Sequence, residues 1–131
     1  MAGSVAGPAM LALMAQHVAL GAQGEELAAR FLREAGIEIV DRNWRCRSGE
    51  IDIIGRDGEV TVFVEVKTRR GLTCGPPQEA VTYLKQQRIR TAAQFWLREQ
   101  PGPWRRVRFD VVAVLLRHGR DPEIRHLKAV F

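Results

Sequence analysis

Two runs rich in β-branched residues, Glu50 to Gly55 and Glu59 to Lys67, flank the dipeptide Asp57-Gly58. Asp-Gly between such runs is a strong hairpin signal. A two-residue turn on Asp57-Gly58 sets Arg56 opposite Glu59, Glu50 opposite Glu65 and Asp52 opposite Phe63. Alternation along a strand then gathers Glu50, Asp52, Glu65 and Lys67 on one face of the hairpin. Ile51, Ile53, Val60, Val62, Val64 and Val66 line the other, and that apolar face demands cover. Asp52 and Glu65 become diagonal neighbours, about 7–8 Å apart at Cα. Like charges so close destabilise a sheet, and Asp, Glu and Lys are disfavoured inside β-branched runs. Two arrangements offset the cost: a divalent cation with oxygen ligands, or an exposed face where Lys67 and arginines neutralise the acids.

The remaining elements follow from periodicity. Leu20, Gly24, Leu27, Ala28, Phe31 and Ala35 share one helical face, so a helix is expected from about His17 to Ala35, stopped by Gly36. Glu38 to Trp44 reads as a strand. Thr68 to Gln78, with two glycines and Pro76-Pro77, reads as a loop. Glu79 to Glu99 is a second helix, ended by Pro101-Gly102-Pro103, and Val107–Leu116 and Ile124–Phe131 are the last strands. The order is α-β-β-β-α-β-β. No charged residue precedes Glu25. Residues 1–16 are expected to be a mobile N-terminal leader, with Met10 or Met14 as alternative starts, and 17–131 the folded domain. The leader lacks the basic start of a signal peptide and the length of a membrane span.

A chain of 131 residues fits one domain. Its 20 basic and 15 acidic side chains give a net charge of +5, with an uneven distribution. Residues 1–66 hold 6 basic and 10 acidic side chains, residues 67–131 hold 14 and 5. An acidic cluster beside a basic half suits metal-dependent chemistry on a polyanion. Seventeen of the cations are Arg, which forks onto phosphate and stacks on bases. Cys46 and Cys74 form no Cys-x-x-Cys, and His17, His118 and His126 are scattered. This does not read as a zinc site or a disulfide framework and fits free thiols in the cytoplasm.

Asp52, a gap, then Glu65-Val66-Lys67 resembles the D…(D/E)-x-K signature of the restriction-endonuclease-like superfamily. Gly24-Glu25, Arg42-Asn43-Trp44-Arg45, Gly49-Glu50-Ile51-Asp52, Phe63 to Lys67, Gly75 and Arg108-Phe109-Asp110-Val111-Val112 narrow it. Together they resemble the small bacterial YraN-type proteins, over about residues 18–131. These are similar to archaeal Holliday-junction resolvases. Ile51 departs from the wider motif, which often has Pro before the Asp. The resemblance implies one α/β domain of restriction-endonuclease-like fold, a mixed central β-sheet flanked by α-helices. It implies Asp52 and Glu65 as ligands of Mg²⁺ or Mn²⁺ and Lys67 as the group that orients water or holds the scissile phosphate. Glu25 matches the helical Glu that completes the metal site in related resolvases. Glu50 is either a further metal ligand or a group that orients one. The implied function is nucleic-acid binding with metal-dependent phosphodiester hydrolysis, on DNA rather than RNA and on branched DNA in repair or recombination. The alternative is a non-catalytic binding module. A two-fold dimer is implied, and no membrane partner.

The second helix carries Val81, Leu84, Ile89, Ala92, Phe95 and Trp96 as an apolar stripe, with Lys85 and Arg88 in its middle. Unpaired buried cations are costly. They either snorkel out or face the acidic cleft and phosphate. Arg45, Arg69 and Arg70 are further phosphate-contact candidates, together with Arg42, Arg47, Arg105 and Arg106. Glu26 is expected to pair with Arg30 on a solvated face. Asp110 reads as structural, held by an arginine.

Overall fold

The computed structural model describes residues 7–71, 81–103 and 106–131. Within them the chain folds as α1 (Pro8–Glu34), β1 (Glu38–Cys46), β2 (Gly49–Asp57), β3 (Val60–Arg70), α2 (Tyr83–Arg98), β4 (Arg106–Leu116) and β5 (Glu123–Leu127). The five strands form one sheet in the order β1-β2-β3-β4-β5. All neighbours are antiparallel except β3 and β4, which are parallel and joined through α2. The chain is a single α/β domain with a mixed sheet between two helices, as the pattern implies.

Both sheet faces are apolar and both are covered. Ala28, Ala29 and Leu32 of α1 bury Ile53, Val62, Val64, Val112, Val114 and Leu116 on one face. Ile89, Ala92, Ala93 and Trp96 of α2 bury Ile51, Ile54, Phe63, Phe109 and Val111 on the other. Such two-sided cover explains why β3 and β4 read as nearly continuous apolar runs. The stripe expected on α2 is narrower in fact: Leu84 and Phe95 are exposed, and Ala93 takes part instead.

The hairpin forms, with its turn one residue later than expected. Asp57 pairs with Val60, Gly55 with Val62 and Ile53 with Val64. Gly58, at φ 62°, takes the first central position, the one a II′ turn gives to glycine. This leaves Asp57 out of the left-handed region that an Asp57-Gly58 turn would impose on it. The register moves by two residues, so side chains keep their faces. Continued by one step, it sets Asp52 directly across from Glu65 instead of from Phe63. Ile51 is a second correction. It packs with Ile54 and Phe63 under α2, not with Ile53. The change of face falls opposite Asn43, a left-handed residue of β1 at φ 52°.

Other boundaries also differ. α1 begins at Pro8, well before His17, with Pro at its start, where its missing N–H costs nothing. The expected leader boundary at residue 16 therefore falls inside a helix. β3 continues past Thr68 to Arg70, because β4 supplies hydrogen-bond partners as far as Leu116. Only Gly71 of the remaining expected loop is described; Cys74, Gly75 and the prolines lie outside the described residues. α2 starts at Tyr83, capped by the Thr82 hydroxyl, which accepts from the Lys85 N–H. β5 ends at Leu127, four residues short of the expected end.

Asp110 has the structural role expected. It is fully buried in β4 and accepts from Arg108 Nε at 2.9 Å and from the Ala129 N–H at 2.9 Å, with His126 Nε2 at 2.7 Å. Burial alone would raise its pKa, but these partners outweigh it and hold the carboxyl below the usual range. The network ties the end of the chain to β4.

Gly24 sets how closely α1 approaches the sheet. A Cβ there would lie 1.8 Å from Thr68 Oγ1 and 2.7 Å from Thr68 Cβ. Gly to Ala in a helix ordinarily stabilises by about 0.5–1 kcal/mol. Here the sign reverses: Gly24→Ala should destabilise by roughly 1–3 kcal/mol, the range for overpacking. Urea denaturation of the purified variant checks this; a gain in stability would show that α1 does not rest on Thr68.

Candidate active site

The β2–β3 ladder runs from the turn to Ile53–Val64. Beyond that point the Val66 N–H donates to the Asp52 carboxylate, Oδ2, at 2.8 Å. A side chain thus takes a backbone donor where a ladder would supply a carbonyl, and the two strands part around Asp52. Asp52 borders cavities on both faces of the sheet. On the α1 side it lines one of about 450 Å³ with His17, Gly21, Glu25, Lys67 and Thr68. On the α2 side it lines one of about 440 Å³ with Glu50, Glu65, Lys85 and Arg88.

Glu65 is buried and is the hub of the charges. Lys67 Nζ lies 3.5 Å from its Oε1, and Lys85 Nζ contacts the same oxygen. Burial pushes the Asp52 carboxyl up to about 7, helped by the charge of Glu65 and, further off, of Glu25. The Val66 N–H works in the opposite direction. Burial also lowers the Lys67 ammonium, as does Lys85 beside it. For Lys85 burial acts downward too, but the hydrogen bond and charge of Glu65 outweigh it and its pKa is raised. The site is a buried acid pair faced by two crowded cations.

Glu25 reaches the α1-side cavity from the helix. Asn43 Nδ2 donates to its Oε1 at 2.7 Å, and Arg42 Nη2 stands 3.5 Å away. Arg42 also grips Glu26 at 2.8 Å, so Glu26 pairs across to β1 rather than by hydrogen bond with Arg30. Asn43 is the residue that sequence reasoning missed. It positions Glu25, and its signal was an Asn within a strand, a residue that tolerates the left-handed conformation. Glu50 borders the α2-side cavity, 3.4 Å from Arg45 Nε, and Arg45 is otherwise exposed. Of the proposed phosphate contacts, Lys85 and Arg88 do open on the acidic cleft. Arg70 lies away from it, in a crevice with Arg117 and Arg120. Arg69 stands beside Arg70 at the end of β3.

Two adjacent carboxylates are oxygen donors of the kind a hard divalent cation could take. Asp52 and Glu65 are adjacent acids whose repulsion such an ion would relieve, and Mg²⁺ takes one or two carboxylates with waters and phosphate oxygens. Among the described residues no group of three His, Cys, Asp or Glu side chains is arranged to hold a metal ion. The pair Asp52 and Glu65 is therefore the part of the expected ligand set that the geometry brings together. Glu25 and Glu50 stand at the edges, held by Asn43 and Arg45.

The family described as "Uncharacterised protein family UPF0102" matches residues 24–114, which span every element from the end of α1 through most of β4. The UPF0102 protein of Nocardia farcinica is 63% identical over 127 residues, 97% of this chain and all of the relative. That of Rhodococcus opacus is 60% identical over 118 residues, 90% of this chain and all of the relative. That of Beutenbergia cavernae is 52% identical over 112 residues, 86% and 95% of the two chains. The chain belongs to the UPF0102 family.

The raised Asp52 pKa makes stability pH-dependent. The folded chain holds this proton up to about pH 7, whereas an unfolded Asp releases it near 3.9. The folded state binds more protons between those values, so stability falls as pH rises through that window and levels off above it. Asp52→Asn cannot lose the proton. Without added metal, its advantage over wild type should be near zero at pH 4 and grow to on the order of 4 kcal/mol by pH 8. Denaturant unfolding of both proteins at a series of pH values checks this; a constant difference would place Asp52 in an ordinary solvated setting.

Proposed function

We propose that this chain binds nucleic acid and hydrolyses phosphodiester bonds with the help of Mg²⁺ or Mn²⁺. The observation that carries the reading is the parting of β2 and β3 at Asp52, which sets Asp52 and Glu65 together with Lys67 alongside. Asp52 and Glu65 would hold the cation, which stabilises negative charge building on phosphorus and acidifies a bound water. Lys67 stands beside Glu65, where its ammonium orients water or holds the scissile phosphate. Burial and the neighbouring Lys85 lower its pKa, which eases release of a proton at Nζ. Glu25, fixed by Asn43, faces the same cavity and is placed to hold a water against Asp52. Lys85 and Arg88 border the α2 side and would receive the phosphate backbone.

Branched DNA in the cytoplasm, bound by a two-fold dimer, is the substrate setting this reading favours; it rests on the likeness to junction resolvases. The second reading is a non-catalytic nucleic-acid-binding module. The contacts of Lys67 and Lys85 with Glu65 favour it, because they already neutralise an acid that a metal would otherwise claim. Divalent cations separate the two. A metal enzyme gains thermal stability from Mn²⁺ through binding to the folded state, and Asp52→Asn abolishes the gain. A pure binder responds to nucleic acid and to salt alone.

The decisive assay is cleavage of single-stranded, duplex, flap and four-way-junction DNA with Mn²⁺. Asp52→Asn should lower the rate at least about a hundredfold, the scale of losing one charge-stabilising group, with affinity for DNA retained. Lys67→Ala should abolish cleavage as well. It should also destabilise the protein without metal, where Asp52→Asn does not. No cleavage of any substrate by wild type, under any divalent ion, would leave the binding module as the better reading.

A further inference from the structure

α1 overhangs the sheet. Every residue from Pro8 to Ala19 is exposed, including Met10, Leu11, Leu13, Met14 and Val18. At 1.5 Å per residue the overhang is roughly 18 Å long, and it carries no charged side chain. Its root is fixed where Gly24 rests on Thr68. On one flank of that root lies the cavity of Asp52 and Lys67, bordered by Gly21 and Glu25.

On the other flank, beside Gln23, lies a separate crevice of about 510 Å³ at the carboxyl ends of β3 and β4. Arg70, Arg117, His118 and Arg120 border it, and no carboxylate among the described residues does. Arg117 is held by Glu123 at 2.8 Å. The side chains of Arg70 and Arg120 make no hydrogen bond or ion pair among the described residues. Two arginines without acidic partners in one concavity form a site for anionic oxygens. Along β3, Arg70 is three residues from Lys67, or about 10 Å.

We propose that this crevice binds the backbone phosphates of a second nucleic-acid strand, while the first lies at Asp52, with the overhang of α1 between them. The inference rests on the reading under Proposed function and specifies its substrate as a fork with two diverging strands. A single strand serving both sites would have to cross over the helix. Two strands can pass it on either flank, with the uncharged, apolar overhang facing bases and the arginines facing phosphates. The division of labour follows from chemistry: phosphate needs cations, and an unpaired base face packs on apolar or aromatic surface.

The test uses fluorescence anisotropy with the full chain bearing Asp52→Asn, so that substrates are bound without being cut. Probes are a DNA fork with two single-stranded arms, a single strand of one arm's sequence, and a linear duplex. The fork should bind at least about tenfold more tightly than the single strand. Adding Arg70→Ala and Arg120→Ala should erase that preference and reduce the salt slope for the fork by about two, one for each lost phosphate contact. Both side chains are exposed and unpaired among the described residues, so thermal unfolding should show an intact fold. A control with Arg98→Ala and Arg125→Ala removes the same charge elsewhere and should keep the preference. Absence of any fork preference, its persistence without Arg70 and Arg120, or equal loss in the control would overturn the inference alone. Failure to bind any of the three probes would overturn the nucleic-acid reading with it.

Discussion

The hydrogen bond from the Val66 N–H to the Asp52 carboxylate is the interaction on which the candidate site depends. Up to Ile53 and Val64 the central hairpin is an ordinary antiparallel ladder buried on both faces. At Asp52 a carboxylate replaces the ladder's carbonyl, and the strands separate without leaving the N–H unpaired. An unsatisfied buried donor would cost about 1–3 kcal/mol, so this one bond lets the sheet open beside Glu65. It also draws a carboxylate into a buried position beside Glu65, which is what raises its pKa.

The rest of the structure holds that opening in place. α1 is pressed onto β3 by the absence of a side chain at Gly24, and this brings Glu25 to the cavity. β1 supplies Asn43, whose left-handed backbone turns its amide toward Glu25. α2 brings Lys85 to Glu65 from the opposite face. The charged groups are carried on α1, β2, β3 and α2, and each element is fixed by apolar packing at a distance from the charges. Opposed burial costs thus sit on a rigid scaffold. The lysines and acids compensate one another imperfectly, and Lys67 and Asp52 are both shifted toward their neutral forms. Shifted groups in a cleft are a mark of functional sites.

Much of the fold was legible because its signals are local. The hairpin was marked by β-branched runs around a glycine turn, and the helices by apolar residues at 3.6 spacing. Along the paired part of the hairpin the alternation of faces survived a register error, because the error was two residues, an even number. What misled were features without a local signal. Thr68 to Arg70 look like a loop but form strand because β4 lies beside them. Leu84 looks like core, yet α2 turns it outward. Asn43 gives no hint of Glu25, eighteen residues earlier in the chain.

The sequence by itself determined the elements, their order, and that Asp52, Glu65 and Lys67 lie on one hairpin, because alternation and turn chemistry act between near neighbours. It also determined that the second half is basic and that the first helix begins without charge. Only the tertiary structure decided that the strands part at Asp52 and leave it beside Glu65, that Lys85 reaches Glu65 from another layer, and that Arg70 and Arg120 border one crevice on the far flank of α1. Those outcomes depend on how far two strands stay paired and how closely a helix can approach a sheet. Such distances are set by packing between residues remote in the chain, which no local pattern encodes.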